Sequence, residues 1–531
     1  MHDVVIAGAG PVGLLLACEL GLASCDVLVL EQEAETGTPW KALPLGMRGL
    51  SAASVEVFHR RGMLQPLLTE SGAHGYGSAD REAQVAPAPR SVSHFAGMML
   101  DPAAVDTGAL PYRLPSPVLE GVMTSLEAVE TVLAEQAAKA GVEIRRGTRF
   151  KGLRQDAEGV LVQAGTDEYA ARWLVGCDGG RSTVRGLAGF EFTGTEPLFT
   201  GYTMLATVAD PDKLQPGFTL TPTGMYLQMP TPGHIGMLDC DGGAFDRSQQ
   251  PTLEHLQTVL RRVSGTDVTL SDVQLVSTFT DRAMQTTSYR QGRVLLAGDA
   301  AHIHSPLGAQ GLNTGIGDAI NLGWKLAATV HGYAPDDLLD SYTQERHPVG
   351  AQILGWTRAQ SAVMKPDPHA QAIQALVRDV LGTRDGTTYV YNRTSGSSHR
   401  YDLGSAHPLV GRNAPDFHFT DGTRLSDLMR DGHGIAIDFT TGGRLAGATA
   451  GHEDLIRYVS GSARNELGCG ALLIRPDGVV AWADGLDPDR AGFQHAADRW
   501  FATAAIQGRR AAPGARHAIN PHLRQTGPIR P

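Results

Sequence analysis

DVVIAGAGPVGLLLACELGLASCDVLVLE, residues 3–31, decides how the rest of this chain is read. DVVIA (3–7) is a short apolar run that ends in Gly8-Ala9-Gly10-Pro11-Val12-Gly13. Leu14 to Leu22 continue as an apolar helix, and DVLVLE (26–31) is a second buried strand closed by an acid. Strand, glycine turn, helix and strand in this order make a βαβ unit. In such a turn the missing Cβ atoms let backbone N–H groups and a helix N-terminus approach a pyrophosphate. Glu31 stands at the strand end, where a carboxylate accepts hydrogen bonds from adenosine ribose hydroxyls and repels a 2′-phosphate. A glycine-rich turn alone is a common strand-to-helix connection. The flanking strands and the placed acid make it a nucleotide site, with Gly8, Gly10, Pro11, Val12, Gly13, Glu31 and Gln32 as candidate contacts.

The chain has 531 residues, more than one compact core usually carries, so two or three domains are expected. Apolar residues at 42% and charged residues at 19% fit a soluble globular enzyme. A net charge of -11 without a basic stripe argues against a nucleic-acid or anionic-membrane partner. The first apolar run has no cationic segment before it and is interrupted by Gly8, Gly10, Pro11, Gly13 and Glu19. It reads as neither a secretory signal nor a membrane span. Cys18, Cys25, Cys177, Cys240 and Cys469 are scattered and form no CxxC pair. Structural disulfides and a zinc site are therefore not expected, and a cytoplasmic location fits.

Helical spacing returns at Leu126, Val129, Leu133 and Ala137, with Thr124 and Glu127 as a capping box and Gly141 at the end. ARWLVGCDGG (171–180) is another buried strand running into a glycine turn. From 186 to 280 the style changes: TGYTMLATVA, GMYLQMPT and HIGMLDC read as sheet segments between Gly/Pro turns. GRVLLAGDA (292–300) returns to the buried-strand style, and a long helix follows from near Asn313. The expected architecture is α/β: a discontinuous Rossmann-like domain (1–75, 100–185 and 281–385) with an inserted antiparallel-sheet domain (76–99 and 186–280). Residues 383–413, rich in Gly, Ser, Thr and Arg, read as a linker. A small α/β unit (405–505) with a closing helix around Ala491–Ala504 follows, then a Pro- and Arg-rich tail (508–531).

Two later motifs carry further chemistry. CDGGRSTVR (177–185) follows a buried strand, and AGDAAHIHSPLGAQGLNTGIGDAINLGWKL (297–326) opens a helix with glycines. A short acid after a strand reaches a polyol chain, and a glycine turn opening a helix presents N–H groups to developing negative charge. With GAGPVG, these motifs resemble the class A flavoprotein aromatic monooxygenases, the family of the p-hydroxybenzoate hydroxylase fold. The likeness runs from residue 1 to about 360. HFAGMMLD (94–101) and the long C-terminal extension further resemble the aromatic polyketide hydroxylases and rifampicin monooxygenases, whose third domain is thioredoxin-like. No CxxC exists here, so structural support or dimer contact is the expected role of that domain.

The resemblance implies FAD as cofactor, NADPH or NADH as reductant, O2, and a small polycyclic aromatic substrate. It implies hydroxylation through a flavin C4a-hydroperoxide kept dry by a closed site. Gly8, Gly10 and Gly13 would hold the pyrophosphate and Glu31 the adenosine ribose. Asp178, Gly179 and Gly298 belong to the cofactor motifs, and Asp299 would bind the ribityl chain. Pro306, Gly311, Leu312 and Asn313 would line the ring. Only one GxGxxG turn is present, and the family meets the nicotinamide by swinging the flavin outward. Arg181 and Arg185 either assist that donor or are structural. Two places depart from the family: Gly46 stands where an arginine is usual, with Arg48 nearby, and Leu126 stands where a glutamine is usual. Met98, Met225, Tyr226, Met229, Pro306 and Gly308 are candidate substrate contacts, since methionine adapts to irregular shapes. His302 and His304 form an HxH pair without an evident third ligand, so no metal is expected. Baeyer–Villiger or ring-rearranging oxygenation on a polyketide quinone is the alternative reaction, and a non-catalytic flavin-binding module the non-enzyme reading. The six isolated tryptophans exclude the WxWxIP run of flavin-dependent halogenases. A monomer or homodimer fits.

Overall fold

The computed structural model describes residues 1–72, 93–110, 112–114, 116, 118–465 and 468–501. The expected tail, and residues 76–92 of the expected inserted domain, lie outside the described residues.

Strand His2–Ala7 sits between Asp167–Gly176 and Val27–Leu30, and all three run parallel. Val294–Leu296 extends the sheet on one side and Glu143–Arg145 on the other. Val4, Val5, Leu28, Val29, Leu174, Val175, Leu295 and Leu296 are fully buried. Burial on both faces is why these strands read as unbroken apolar runs. Helices Pro11–Leu22, Leu126–Lys139 and Gln310–His331 pack together as one layer of the cover, and antiparallel strands Phe150–Gln155 and Val160–Ala164 add Phe150, Val160 and Val162 to the same core. The strands end at Ala7, Leu30, Gly176 and Leu296, all on one edge of the sheet. Ligands of open parallel sheets bind at that edge. Gly8, Glu31, Cys177 and Ala297 each follow one of those ends. The helix at Leu126 is capped by Ser125, whose hydroxyl accepts from Ala128 N at 3.0 Å, one residue later than the expected Thr124. Pairing of Val122–Ser125 with Met47–Leu50 keeps Thr124 in a strand.

The inserted sheet is antiparallel, in the order 217–221, 224–228, 234–239, 200–208, 270–280. Helix Leu253–Ser264 packs Leu256, Val259, Leu260 and Val263 on one face, against Tyr202, Met204, Tyr226 and Met237. Phe199, Met225 and Leu238 face the other way, toward Phe95, Met98, Leu307 and Met364. Neighbouring residues of a strand point to opposite faces. Met225 and Tyr226 therefore cannot line one chamber, which corrects the expectation for Tyr226. Its ring lies under the helix, and its hydroxyl accepts from Gln215 N at 3.0 Å.

The stretch read as a linker contains helix Arg384–Thr394, which buries Val390 and Tyr391 in the same apolar cluster as Met98 and Met225. Polar composition hid a short helix with only two core residues. Beyond it, Gly434–Asp438 pairs in parallel with Ile456–Ser460 and antiparallel with Ala471–Ile474, which pairs with Val480–Asp484. Helix Arg490–Trp500 closes this unit. The parallel pair is joined by turns at Gly442, Gly443, Gly447 and Gly451, all at positive φ, rather than by a helix.

Buried charge fastens the third unit to the first. Arg61 makes a two-pronged bond to Glu19 at 2.7 and 2.8 Å and donates to the Met429 and Pro476 carbonyls. Arg60 donates to Asn413 Oδ1 at 2.8 Å and to the Ala414 carbonyl at 2.7 Å. Arg475 is fully buried and grips Glu345 with both terminal nitrogens at 2.8 Å. Lys325, also fully buried, reaches the same carboxylate at 3.0 Å. Among the described residues no helix is long and apolar enough to cross a membrane.

Candidate functional site

The three glycines of the first turn differ in what they accommodate. Gly8 has φ +106, and a Cβ there would lie 2.4 Å from the Cys177 carbonyl oxygen. A Cβ on Gly13 would lie 2.1 Å from the Gly8 carbonyl oxygen. Both are demanded by the protein's own backbone. A Cβ on Gly10 would meet nothing within 4 Å, so this glycine keeps a space open toward something outside the chain. Pro11 starts the helix with a preset φ, and no side chain caps Gly10, so the helix N-terminus faces that space. Glu31 closes the far side. Its carboxylate accepts from Ala9 N at 2.7 Å and Glu33 N at 2.9 Å, one bond per oxygen, which leaves a lone pair on each. Gln32 is exposed beside it.

The second turn is largely self-contained. Asp178 accepts from Ser182 Oγ at 2.5 Å, Thr183 N at 2.7 Å and Val184 N at 3.0 Å. The carboxylate expected to meet cofactors thus builds its own turn, with Gly179 at φ +78. Arg185 donates to the Ala300 and Gly180 carbonyls, both at 2.9 Å, and its guanidinium stacks on Phe192 at 3.9 Å. It staples the second turn to the third. Arg181 is exposed.

The third turn is clamped from behind. Asp318, on helix Gln310–His331, accepts from Gly298 N at 3.0 Å and His302 Nε2 at 2.7 Å, leaving Asp299 exposed at the tip. Gly308 (φ +82) and Ala309 (φ +54) then turn the chain into the helix. A left-handed alanine is strained, and such strain gathers where a helix must be aimed. No side chain caps this helix either. Asn313 ties its first turn to the Met47–Leu50 strand: Oδ1 accepts from Ser51 N at 2.8 Å, and Nδ2 donates to the Gly49 and Ala309 carbonyls at 2.9 and 2.8 Å. Gly311 and Leu312 lie half-buried between these anchors. His304 donates from Nδ1 to the Ser305 carbonyl at 2.7 Å, and burial pushes its pKa down. Asn313→Ala strands the Ser51 N–H; urea unfolding is expected to show a loss of about 1–3 kcal/mol.

The two departures from the family pattern touch each other. Leu126 N donates to the Gly46 carbonyl at 2.9 Å, and a Cβ on Gly46 would lie 1.8 Å from the Lys41 carbonyl oxygen. The tight 41–46 loop excludes any side chain at that place. Arg48 follows it, half-buried, and donates from Nη1 to the Leu45 and Met47 carbonyls at 3.2 and 2.7 Å. Burial lowers its pKa, and Asp299, the carboxylate near enough to act on it, works the other way.

Beyond the third turn lies the candidate substrate chamber, an apolar cluster with a cavity at its side. Met98, Phe95, Met225, Phe199 and Leu307 pack there. Pro306 is exposed and Gly308 half-buried, on either side of Leu307. Met229 falls past the end of its strand, half-buried and outside this cluster. A cavity of 230 Å³ opens at the outer side of the cluster, between Phe199, Met225, Leu238 and Met364. Gln360 holds the chamber together and was not foreseen. Fully buried, it accepts from Ala96 N at 2.9 Å and donates to the Leu307 carbonyl at 3.4 Å. A lone glutamine in a helix with polar neighbours carries no signal of that role. Asp318 and Arg346 were likewise unforeseen, although Asp318 sits inside the third motif.

Comparison with known proteins agrees with this geometry. Residues 1–357 match the FAD binding domain family, and residues 407–504 match the aromatic-ring hydroxylase C-terminal family. A monooxygenase of Claviceps purpurea is 47% identical over 90% of this chain and 94% of its own length. Rifampicin monooxygenase of Streptomyces venezuelae is 40% identical over 91% of this chain and 96% of its own length. The structure of OxyS anhydrotetracycline hydroxylase from Streptomyces rimosus superposes with a TM-score of 0.80 at 34% identity, covering 94% of this chain and 99% of that one.

Proposed function

This chain belongs to the FAD-binding aromatic-ring hydroxylases, and from that premise we propose that it hydroxylates a small polycyclic aromatic molecule of the polyketide kind. It is an FAD-dependent monooxygenase. FAD, when bound, supplies two-electron reduction by a nicotinamide and the activation of O2.

The residues fit that cofactor. The opening at Gly10 and the uncapped helix at Pro11 suit a pyrophosphate, and the free lone pairs of Glu31, with Gln32 beside them, suit the adenosine ribose. Asp299 at its exposed tip takes the ribityl hydroxyls, and Arg48, close enough to act on it electrostatically, is a second candidate contact. The uncapped helix after Ala309 directs the N–H groups of Gly311, Leu312 and Asn313 at the ring, where they steady negative charge. Gly8, Gly13, Gly179 and Gly298 shape the backbone, and Asp178 acts through its turn. Leu126, a further candidate contact, joins the site through its backbone bond to Gly46. Met98, Met225 and Leu307 share one apolar cluster, and with Pro306 and Gly308 flanking Leu307 they are the proposed wall that seats the substrate and excludes water.

In this reading residues 1–75, 100–185 and 281–385 hold the cofactor, 76–99 and 186–280 the substrate, and 405–505 support them. The reductant is NADPH or NADH, and the five free cysteines suit a reducing cytoplasm. One observation carries the proposal: four strand ends and two uncapped helices converge on a single edge, beside an apolar chamber.

The test is turnover with labelled oxygen. FAD-loaded protein is given NADPH and 18O2 with phenolic tri- and tetracyclic aromatics, anhydrotetracycline among them. Substrate-stimulated NADPH oxidation with one 18O atom placed as a ring hydroxyl is expected. Insertion of 18O into a carbon–carbon bond assigns the Baeyer–Villiger reaction instead. NADPH oxidation that no aromatic stimulates rejects the substrate class.

A further inference from the structure

Helix Gln310–His331 opens on the proposed flavin site and is held on its far side by the third unit. Asp318, Asn321 and Lys325 lie on one face of it, three and four residues apart. Asp318 clamps Gly298 N and His302 and accepts from Arg346 Nε at 2.8 Å. Arg346 uses its remaining nitrogens on Tyr401 Oη and the Thr314 carbonyl, both at 2.9 Å. Its chain neighbour Glu345 receives Arg475 twice at 2.8 Å and Asn321 at 2.7 Å. Arg475 also binds Asp477, which accepts from Asn321 at 3.1 Å, and its guanidinium lies 4.5 Å over the Trp500 ring. An unbroken path of buried bonds thus runs from the third unit to the backbone of the Gly298-Asp299 turn.

We propose that the third unit is a positioning element for the flavin: Arg475 and Asp477 lock Glu345, and the helix carrying Glu345 and Arg346 holds Asp318 against the Gly298-Asp299 turn. This rests on the reading that Asp299 binds FAD. Stability alone does not account for the arrangement. Buried ion pairs are often no better for stability than apolar packing of the same volume, and their best-attested use is to fix one geometry. Docking does not require it either, because Arg60 already fastens the unit through Asn413 and Ala414, off the path to Gly298. The side chains of Asp318, Lys325, Glu345, Arg346, Arg475 and Asp477 are all buried and carry three charges of each sign, so the cluster is neutral. Adjacent helical residues point about 100° apart, so Glu345 and Arg346 serve two partners from one rigid segment.

The test compares two buried arginines that bridge the same interface. FAD dissociation constants are measured by flavin fluorescence for wild type, Arg475→Lys and Arg60→Lys, with melting temperatures alongside. Arg475→Lys is expected to weaken FAD about tenfold, and Arg60→Lys less than about twofold at a similar loss of melting temperature. The Arg475→Lys effect is expected to shrink to about twofold in an Asp299→Asn background, because the contact it positions is gone. Should Arg475→Lys fail to fold, Tyr401→Phe removes one bond to Arg346 and is expected to weaken FAD about threefold. Equal weakening by both arginine variants, no weakening by Arg475→Lys or Tyr401→Phe, or additivity with Asp299→Asn would overturn the proposal. Wild-type protein that binds no FAD removes the family reading itself, and this one with it.

Discussion

Gly10→Asp is expected to yield a folded protein that stays colourless. The new side chain starts into open space, since a Cβ there finds nothing within 4 Å. It enters the space where a pyrophosphate must sit and places a carboxylate against it. The cost therefore falls on the ligand and not on the fold. Gly8→Ala and Gly13→Ala differ, because their Cβ atoms collide with backbone oxygens at 2.4 and 2.1 Å. Those variants are expected to lose both cofactor and stability. The measurement is a melting curve with and without FAD. Ligand at about a hundred times its dissociation constant stabilises a protein by about 2.7 kcal/mol. Wild type should show that shift, while Gly10→Asp should melt where FAD-free wild type does and ignore added FAD. A yellow Gly10→Asp protein would remove the first turn from the site.

Glu345→Ala is expected to be among the most destabilising single changes in the molecule. It leaves Arg475 and Lys325, both fully buried, with one carboxylate fewer between them. Breaking a buried pair costs about 3–5 kcal/mol, a large share of the about 5–15 kcal/mol that holds most domains folded. Urea unfolding checks it. The same carboxylate sets an acid limit. Burial raises its pKa, but Arg475 and Lys325 outweigh that and hold it well below the ordinary range. Asp318 is likewise lowered, by Arg346 and His302 against burial. Both folded-state values lie below the unfolded ones, so the stability they contribute is present at neutral pH. It is lost as the pH falls below about 4, where the unfolded chain takes up protons first. Lys325 works at the other end. Burial pulls its pKa down to about 8, so the contribution of this one group to stability rises between pH 8 and the unfolded value of about 10.4. A Glu345→Ala protein as stable as wild type would show that this cluster carries no weight.

Much of this was legible because it is local. A strand, a glycine turn and a helix are written in consecutive residues, so the sheet edge and the turns at Gly8, Cys177 and Gly298 could be found by inspection. Alternation along 224–228 was equally written, and applied strictly it places Tyr226 opposite Met225. What stayed hidden depends on residues far apart in the chain. Gln360 joins Ala96 to Leu307, Arg475 reaches Glu345, and Asn313 reaches Ser51. No spacing rule announces such pairs. Asp178 shows another limit: a motif acid reads as a ligand, while three hydrogen bonds from its own turn reach it, two on Oδ2 and one on Oδ1.

The most direct measurement is an electron-density map of crystals grown with FAD. The account predicts a pyrophosphate over Gly10, ribityl oxygens at Asp299, and an isoalloxazine edge within hydrogen-bonding distance of the amides at Gly311 to Asn313. Density for the dinucleotide at any other edge of the sheet, or an isoalloxazine turned away from that helix, would contradict it.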